Sequence, residues 1–410
     1  MNKIKLSKLA NINMGQSPKS ENYCNNEGTP FLQGNRTFGE KYPEIDIYTK
    51  QITKLAKKGE ILISVRAPVG DLNIAPVDLC IGRGLSAINS FDSNNEFLYY
   101  CLKYNVRNIL KQSSGTTYDS INRDILENFE LITPKKEDYI KVGEILSKID
   151  NKIELNNKIN SELEAMAKTI YDYWFLQFEF PNEEGKPYKS SGGKMVWNDE
   201  LKREIPEGWE VKKIKDCITH IKTGLNPRDN FKLGMGDIKY ITVKNITTSG
   251  SIDFSKCDII DDKAKEIVHN RSDISKGDIL FASIAPLGRC YLIQEEPEKW
   301  DINESVFSIR PDYKIVSSEF LYMYFMSEYF IKKAERSSTG SIFSGIRINT
   351  IENMEMLVPK QEVIELFSSK IKNILYKHNM NFSENQELTS LRDFLLPLLM
   401  NGQVGFKEEK

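Results

Sequence analysis

Side chains that present paired hydrogen-bond donors and acceptors gather in turn-rich loops along both halves of this 410-residue chain. In the first half they are Gln16, Ser17 and Lys19, then Gln33, Asn35 and Arg36, then Arg66, Arg83 and the run Ser113, Ser114, Thr116, Thr117 and Tyr118. In the second half they are Asn226, Arg228, Lys244, Asn245, Arg289, Arg336, Ser337, Thr339 and Ser341. Guanidinium forks and carboxamides match the donor and acceptor pairs on base edges, while Lys, Ser and Thr hold phosphate oxygens. Loops of this composition can supply both kinds of contact to a nucleic acid, and can equally be an ordinary solvated surface. Arg66 and Arg83 rank first, because each sits beside Gly or Pro in a turn that follows an apolar strand. The competing reading of any loop arginine is a solvated or salt-bridged surface residue, and Gly59, Pro68 and Gly70 read as turn formers rather than contacts.

Bond-making chemistry lacks its usual residues. An amino-methyltransferase would need an Asn-Pro-Pro-Tyr or Asp-Pro-Pro-Tyr motif and a glycine-rich cofactor loop, and neither occurs. There is no G-x-x-x-x-G-K-S/T phosphate loop, and Pro311-Asp312 has no Glu-x-Lys partner at nuclease spacing. His220, His269 and His378 stand apart; Cys24, Cys80, Cys101, Cys217, Cys257 and Cys290 are scattered without a C-x-x-C pair and read as reduced cytosolic thiols. Neither a metal nor a cofactor is expected, and no catalytic residues are assigned. The N-terminus lacks the apolar core of a signal peptide and no apolar run reaches about 18 residues, so a cytoplasmic chain without membrane contact is expected. A net charge of -2 argues against a histone-like binder that lives on phosphate neutralisation. Local basic loops within a larger assembly remain compatible with DNA.

The elements that position these loops occur twice. Met14-Gly15-Gln16-Ser17-Pro18 corresponds to Thr223-Gly224-Leu225-Asn226-Pro227, and Pro30-Phe31-Leu32 to Lys239-Tyr240-Ile241, both at a shift of 209. Lys58-Gly59-Glu60-Ile61-Leu62 corresponds to Lys276-Gly277-Asp278-Ile279-Leu280 at 218, Glu96-Phe97-Leu98-Tyr99 to Glu319-Phe320-Leu321-Tyr322 at 223, and Pro134-Lys135 to Pro359-Lys360 at 225. Order is kept while the shift grows stepwise, as loop insertions in a duplicated domain produce. Each unit reads as a small α/β or α+β domain, with strands over Ile61 to Val65 and Ile279 to Ile284 and helices over Glu96 to Leu110 and Ser318 to Ala334. A long helix follows each unit. In the first, Val142, Ile145, Leu146, Ile149, Ile153, Ile159, Leu163, Met166 and Ile170 recur at three- and four-residue steps; in the second, Phe367, Ile371, Ile374, Leu375, Leu388, Leu391, Leu395 and Leu398 do so, until Pro397 and Gly402 end it. Two such stripes most simply pack on each other, the alternative being that each docks only on its own domain. Pro, Gly, Ser and charge dominate residues 181–193, which read as a linker.

Two degenerate repeats, each ending in a long helix and joined by Ser191-Gly192-Gly193-Lys194-Met195-Val196-Trp197 and Ile205-Pro206-Glu207-Gly208-Trp209, closely resemble type I restriction-modification specificity subunits. The Gly15-Gln16-Ser17-Pro18 opening, the Arg66-Ala67-Pro68-Val69-Gly70 loop and the terminal segment Leu391-Arg392-Asp393-Phe394-Leu395-Leu396-Pro397-Leu398-Leu399 carry the resemblance, which spans essentially the whole chain. It implies two target recognition domains (1–136 and 209–360), each reading one half of a split asymmetric DNA site. It also implies two spacer helices (137–180 and 361–404) that pair as an antiparallel coiled coil in a pseudo-twofold, ring-like layout, with a linker at 181–208 and a tail at 405–410. The expected partners are double-stranded DNA and two adenine-N6 methyltransferase subunits, with or without restriction/translocase subunits. The helix stripe departs from even packing at His378-Asn379-Met380-Asn381 and Ser383-Glu384-Asn385. The rival functions are a stand-alone DNA-modifying enzyme, revealed if the purified chain alone cuts or modifies DNA, and a protein-interaction scaffold, revealed if the assembled complex shows no sequence-selective binding.

Overall fold

A computed structural model describes residues 2–113 (backbone only from 107), 120–284, 286–337 and 345–406. The chain divides into two units: the first is Met1–Ile153 with Glu387–Lys410, the second Glu154–Gln386. The two long helices, Tyr139–Tyr171 and Gln361–Met400, therefore each contribute to both units.

In the first unit a four-stranded sheet runs in the order Ala10–Met14, Leu85–Ser90, Ile61–Ser64, Leu72–Ile74. Against it lies a five-stranded sheet in which Thr29–Leu32 and Leu79–Ile81 pair in parallel, Phe31 opposite Cys80. Asn2–Lys5 pairs antiparallel with Glu130–Thr133 and ties the start of the chain to the strand that precedes the long helix. The second unit repeats this plan. Its four-stranded sheet runs Ile218–Thr223, Val306–Pro311, Ile279–Ala282, Cys290–Leu292; Ile238–Ile241 pairs in parallel with Trp300–Ile302; Glu210–Lys213 pairs with Glu355–Val358. The equivalent strands follow the same stepwise shift as the sequence repeat, so the duplication is a duplication of fold.

Some local expectations change. The helix expected over Ser318 to Ala334 is two helices, Ser318–Met326 and Glu328–Ser337, because Ser327 leaves helical geometry (ψ 143°) and its hydroxyl accepts the Phe330 N–H to start the second. Residues 181–208, expected as linker, carry a hairpin of Met195–Asn198 and Arg203–Pro206. The flanking rings are packed rather than loose: Phe180 stacks on Tyr188 at 4.5 Å and on Trp209 at 5.1 Å.

The helix seam differs most from its sequence reading. Along Tyr139–Tyr171 the buried positions include Val142, Leu146, Asp150, Ile153, Asn156, Asn160, Ala167 and Tyr171, whereas Met166, expected on the stripe, is 52% exposed. Along Gln361–Met400 they include Phe367, Ile371, His378, Asn381, Asn385, Arg392 and Leu396, and Leu391 is 45% exposed. The helix is continuous through the polar stretch, because its asparagines meet asparagines. Within the second unit Asn156 Nδ2 donates to Asn385 Oδ1 at 2.9 Å, Asn381 Nδ2 to Asn160 Oδ1 at 2.9 Å, and Asn160 Nδ2 to the His378 carbonyl at 3.1 Å. Higher numbers on one helix face lower numbers on the other, which makes the pair antiparallel. Asn160→Ala should cost about 1–3 kcal/mol, since it strands the Asn381 amide in the seam and removes a second donor from the His378 carbonyl. Urea denaturation of this variant beside exposed Lys158→Ala measures it; equal stability of the two would show that the seam amides are not needed.

Candidate nucleic-acid interface

Backbone hydrogen bonds draw the candidate loops of the first unit together. Gly82 N donates to the Leu32 carbonyl at 2.8 Å, Gly84 N to the Gln33 carbonyl at 3.2 Å, Gln16 N to the Ile81 carbonyl at 2.9 Å, and Val65 N to the Gly84 carbonyl at 2.9 Å. The Arg83 N–H donates to Ser17 Oγ at 3.2 Å. Close approach requires glycine here: a Cβ on Gly15 would collide with the Gly82 carbonyl oxygen. Asn35 reaches across to the Pro68 carbonyl at 3.1 Å and to Asp71 at 2.6 Å, so it braces the loop that carries Arg66. Tyr23 hydroxyl donates to Gln33 Oε1 at 2.9 Å while its ring packs 5.0 Å from Phe31.

Gln16, Ser17, Gln33, Asn35, Arg66 and Arg83 thus share one end of the first unit, with Gln16, Gln33, Arg66 and Arg83 exposed. Arg66 and Arg83 have no ion pair with any described residue, which leaves their five-donor forks available. Lys19 is paired with Glu21 at 3.8 Å and Arg36 with Asp46, both on the exposed surface, where such pairs are weak and exchangeable.

The second unit builds the same end from different side chains. Gly224 N donates to the Asn303 carbonyl at 3.2 Å, Asn303 N to the Ile241 carbonyl at 2.8 Å and Ser283 N to the Ser305 carbonyl at 3.1 Å. Asn226, exposed Arg228 and exposed Lys244 lie on the loops so joined. Asn245 does not belong to this surface. It is 4% exposed, and its Oδ1 accepts from the Thr242 N–H and hydroxyl, both at 2.9 Å, so it shapes the turn that presents Lys244. Arg289 is half-buried with its Nε lacking a partner among the described residues, and burial lowers its pKa. Arg336 and Ser337 are exposed in the last turn of Glu328–Ser337, where the Ser337 hydroxyl donates to the Lys333 carbonyl at 2.9 Å. Ser114, Thr116, Thr117, Tyr118, Thr339 and Ser341, and the side chain of Ser113, lie outside the described residues.

The sequence reading missed Asn303, Glu304 and Ser305, the turn of the second unit equivalent to Gly82-Arg83-Gly84. Aligning Ile81-Gly82-Arg83-Gly84-Leu85 with Ile302-Asn303-Glu304-Ser305-Val306, at a shift of 221, finds it. Among the described residues no group of three or more His, Cys, Asp or Glu side chains could hold a metal ion, and no helix is long and apolar enough to cross a membrane.

The chain matches the sequence model of the type I restriction modification DNA specificity domain twice, over residues 1–165 and 206–389. It is 29% identical over 360 residues to the type I restriction enzyme MjaIX specificity subunit of Methanocaldococcus jannaschii, covering 87% of this chain and 80% of that protein. It is 26% identical over 412 residues to the HindI specificity subunit of Haemophilus influenzae, covering 86% and 88%. In fold it is similar to the crystal structure of the type I restriction-modification S subunit from M. genitalium, with a TM-score of 0.65 at 16% identity, covering 100% of this chain and 96% of that one. Two matched segments falling on two copies of one fold leave a single conclusion: the chain belongs to the type I restriction-modification DNA specificity family, whose members are the sequence-recognising subunits of these systems.

Proposed function

We propose that each repeat reads one half of a bipartite, asymmetric DNA site, with residues 1–136 and 209–360 as the two target recognition domains. The helices of 137–180 and 361–404 set the spacing between half-sites and dock two adenine-N6 methyltransferase subunits, which supply the catalysis in the cytoplasm. The observation that carries this reading is the duplicated loop cluster: both units gather exposed hydrogen-bonding side chains at the same end of the same sheet pair. The candidate DNA contacts in the first unit are Gln16, Ser17, Lys19, Gln33, Asn35, Arg36, Arg66 and Arg83. In the second they are Asn226, Arg228, Lys244, Arg289, Arg336 and Ser337.

Reading by halves should be modular. Replacing residues 209–360 with the matching segment of a relative, then sequencing methylated sites in cells that also carry the methyltransferase partner, should alter one half of the motif only. A change in both halves would contradict independent readers. Within the first unit Arg66→Ala should weaken specific binding by about 1–3 kcal/mol, the value of a bidentate arginine contact to a base. An equal loss on specific and random duplexes would demote Arg66 to a phosphate contact.

A further inference from the structure

The two units present opposite charges at one equivalent position. In the first unit the turn Gly82-Arg83-Gly84 joins Leu79–Ile81 to Leu85–Ser90. In the second Asn303-Glu304-Ser305 joins Trp300–Ile302 to Val306–Pro311. Both turns are held by the same bonds: Leu85 N to the Gly82 carbonyl at 3.0 Å matches Val306 N to the Asn303 carbonyl at 3.3 Å, and the following carbonyls of Gly84 and Ser305 accept from Val65 and Ser283. Arg83 and Glu304 are the exposed tips. Neither has an ion pair with a described residue to explain it.

A carboxylate is a costly group to bring against DNA, because the duplex carries one phosphate charge per about 1.7 Å of axis. If the turn meets the duplex, as the equivalent arginine turn is proposed to do, this carboxylate must face a cation or an amino group rather than a phosphate. A base edge supplies the latter: Glu accepts from the cytosine N4 amino group in the major groove, as Arg donates to guanine O6 and N7. Resting on the proposed half-site reading, we infer that this turn tip reads a base in both units, Arg83 recognising guanine in one half-site and Glu304 recognising cytosine in the other.

The sign of the effect tests this. The wild-type chain, assembled with its methyltransferase partner, is first offered a duplex library randomised across the site. Absence of any sequence preference would overturn the proposed function itself, independently of the tip assignment. With a motif in hand, Glu304→Ala should lose roughly five- to a hundredfold in binding and relax one C·G position of the second half-site while the first half-site stays unchanged. Glu304→Gln, which keeps shape and drops the charge, should move that position from cytosine towards adenine, the base Gln matches. Arg83→Gln should move a guanine of the first half-site in the same way. Uniformly tighter binding of Glu304→Ala to all sequences, as relief of phosphate repulsion would give, overturns the assignment; so does a motif unchanged in Glu304→Gln.

Discussion

Arg392→Ala should destabilise the first unit by about 3–5 kcal/mol, the cost of leaving a buried charge without its partner. Arg392 is 6% exposed on the second long helix, and its Nη1 lies 2.8 Å from Asp150 on the first; both side chains are more than nine-tenths buried. Asp150 also accepts from the Tyr100 hydroxyl at 2.7 Å, and Arg392 Nε donates to Asp393 at 3.0 Å. Burial alone would lower the arginine's pKa, yet the Asp150 and Asp393 carboxylates raise it above its ordinary value. Burial and the nearby Asp150 likewise raise the Tyr100 phenol, so it stays neutral and keeps donating. The pair therefore stitches both helices to the helix Asn95–Ser113 within one unit. Replacing the whole pair, Asp150→Leu with Arg392→Met, in a Tyr100→Phe background that leaves no buried hydroxyl without its acceptor, should recover most of the loss, because packed apolar groups have no charge to desolvate. Urea unfolding of these variants decides it: a loss under about 1 kcal/mol for Arg392→Ala would mean that water screens Asp150.

The duplication, the mixed α/β composition of each repeat and the two long helices are legible in the residues, since apolar periodicity and the stepwise shift are local signals. The seam is not, for a physical reason. Periodicity selects apolar residues, so Met166 and Leu391 look like seam positions while Asn156, Asn160, Asn381 and Asn385 look like interruptions. Burial of an asparagine is tolerable only when another polar group faces it, and that depends on register between helices over 200 residues apart in sequence. Arg392 shows the same limit, because only Asp150 opposite makes its burial affordable. The candidate surface was read in part. Exposed Arg66 and Arg83 stand on turns, as the Gly and Pro beside them indicate, but Asn245 is consumed by its own turn and Glu304 is visible only through its equivalence to Arg83.

Lengthening both helices together should widen the unread gap between half-sites while leaving both half-site sequences intact. The two helices pass between the units at Ile153 and Glu154 and at Gln386 and Glu387, so equal insertions there add length without touching either reading surface. Pairing is preserved on both sides: Asp150 keeps Arg392 in the first unit, and Asn156 keeps Asn385 in the second. Four residues in each helix add about 6 Å, at about 1.5 Å per residue. With base pairs about 3.4 Å apart, the gap should grow by one or two pairs. Four residues also complete slightly more than one turn, so the buried faces beyond the insertion stay nearly in phase. Two-residue insertions rotate each face by about 200°, turning Asn156, Asn160 and His378 towards solvent and apolar seam residues away from their partners, and should abolish assembly. Methylated-site sequencing of cells carrying the four-residue variant and its methyltransferase partner reads the result directly. An active complex whose gap is unchanged would show that something other than the helix pair fixes the distance between the two readers.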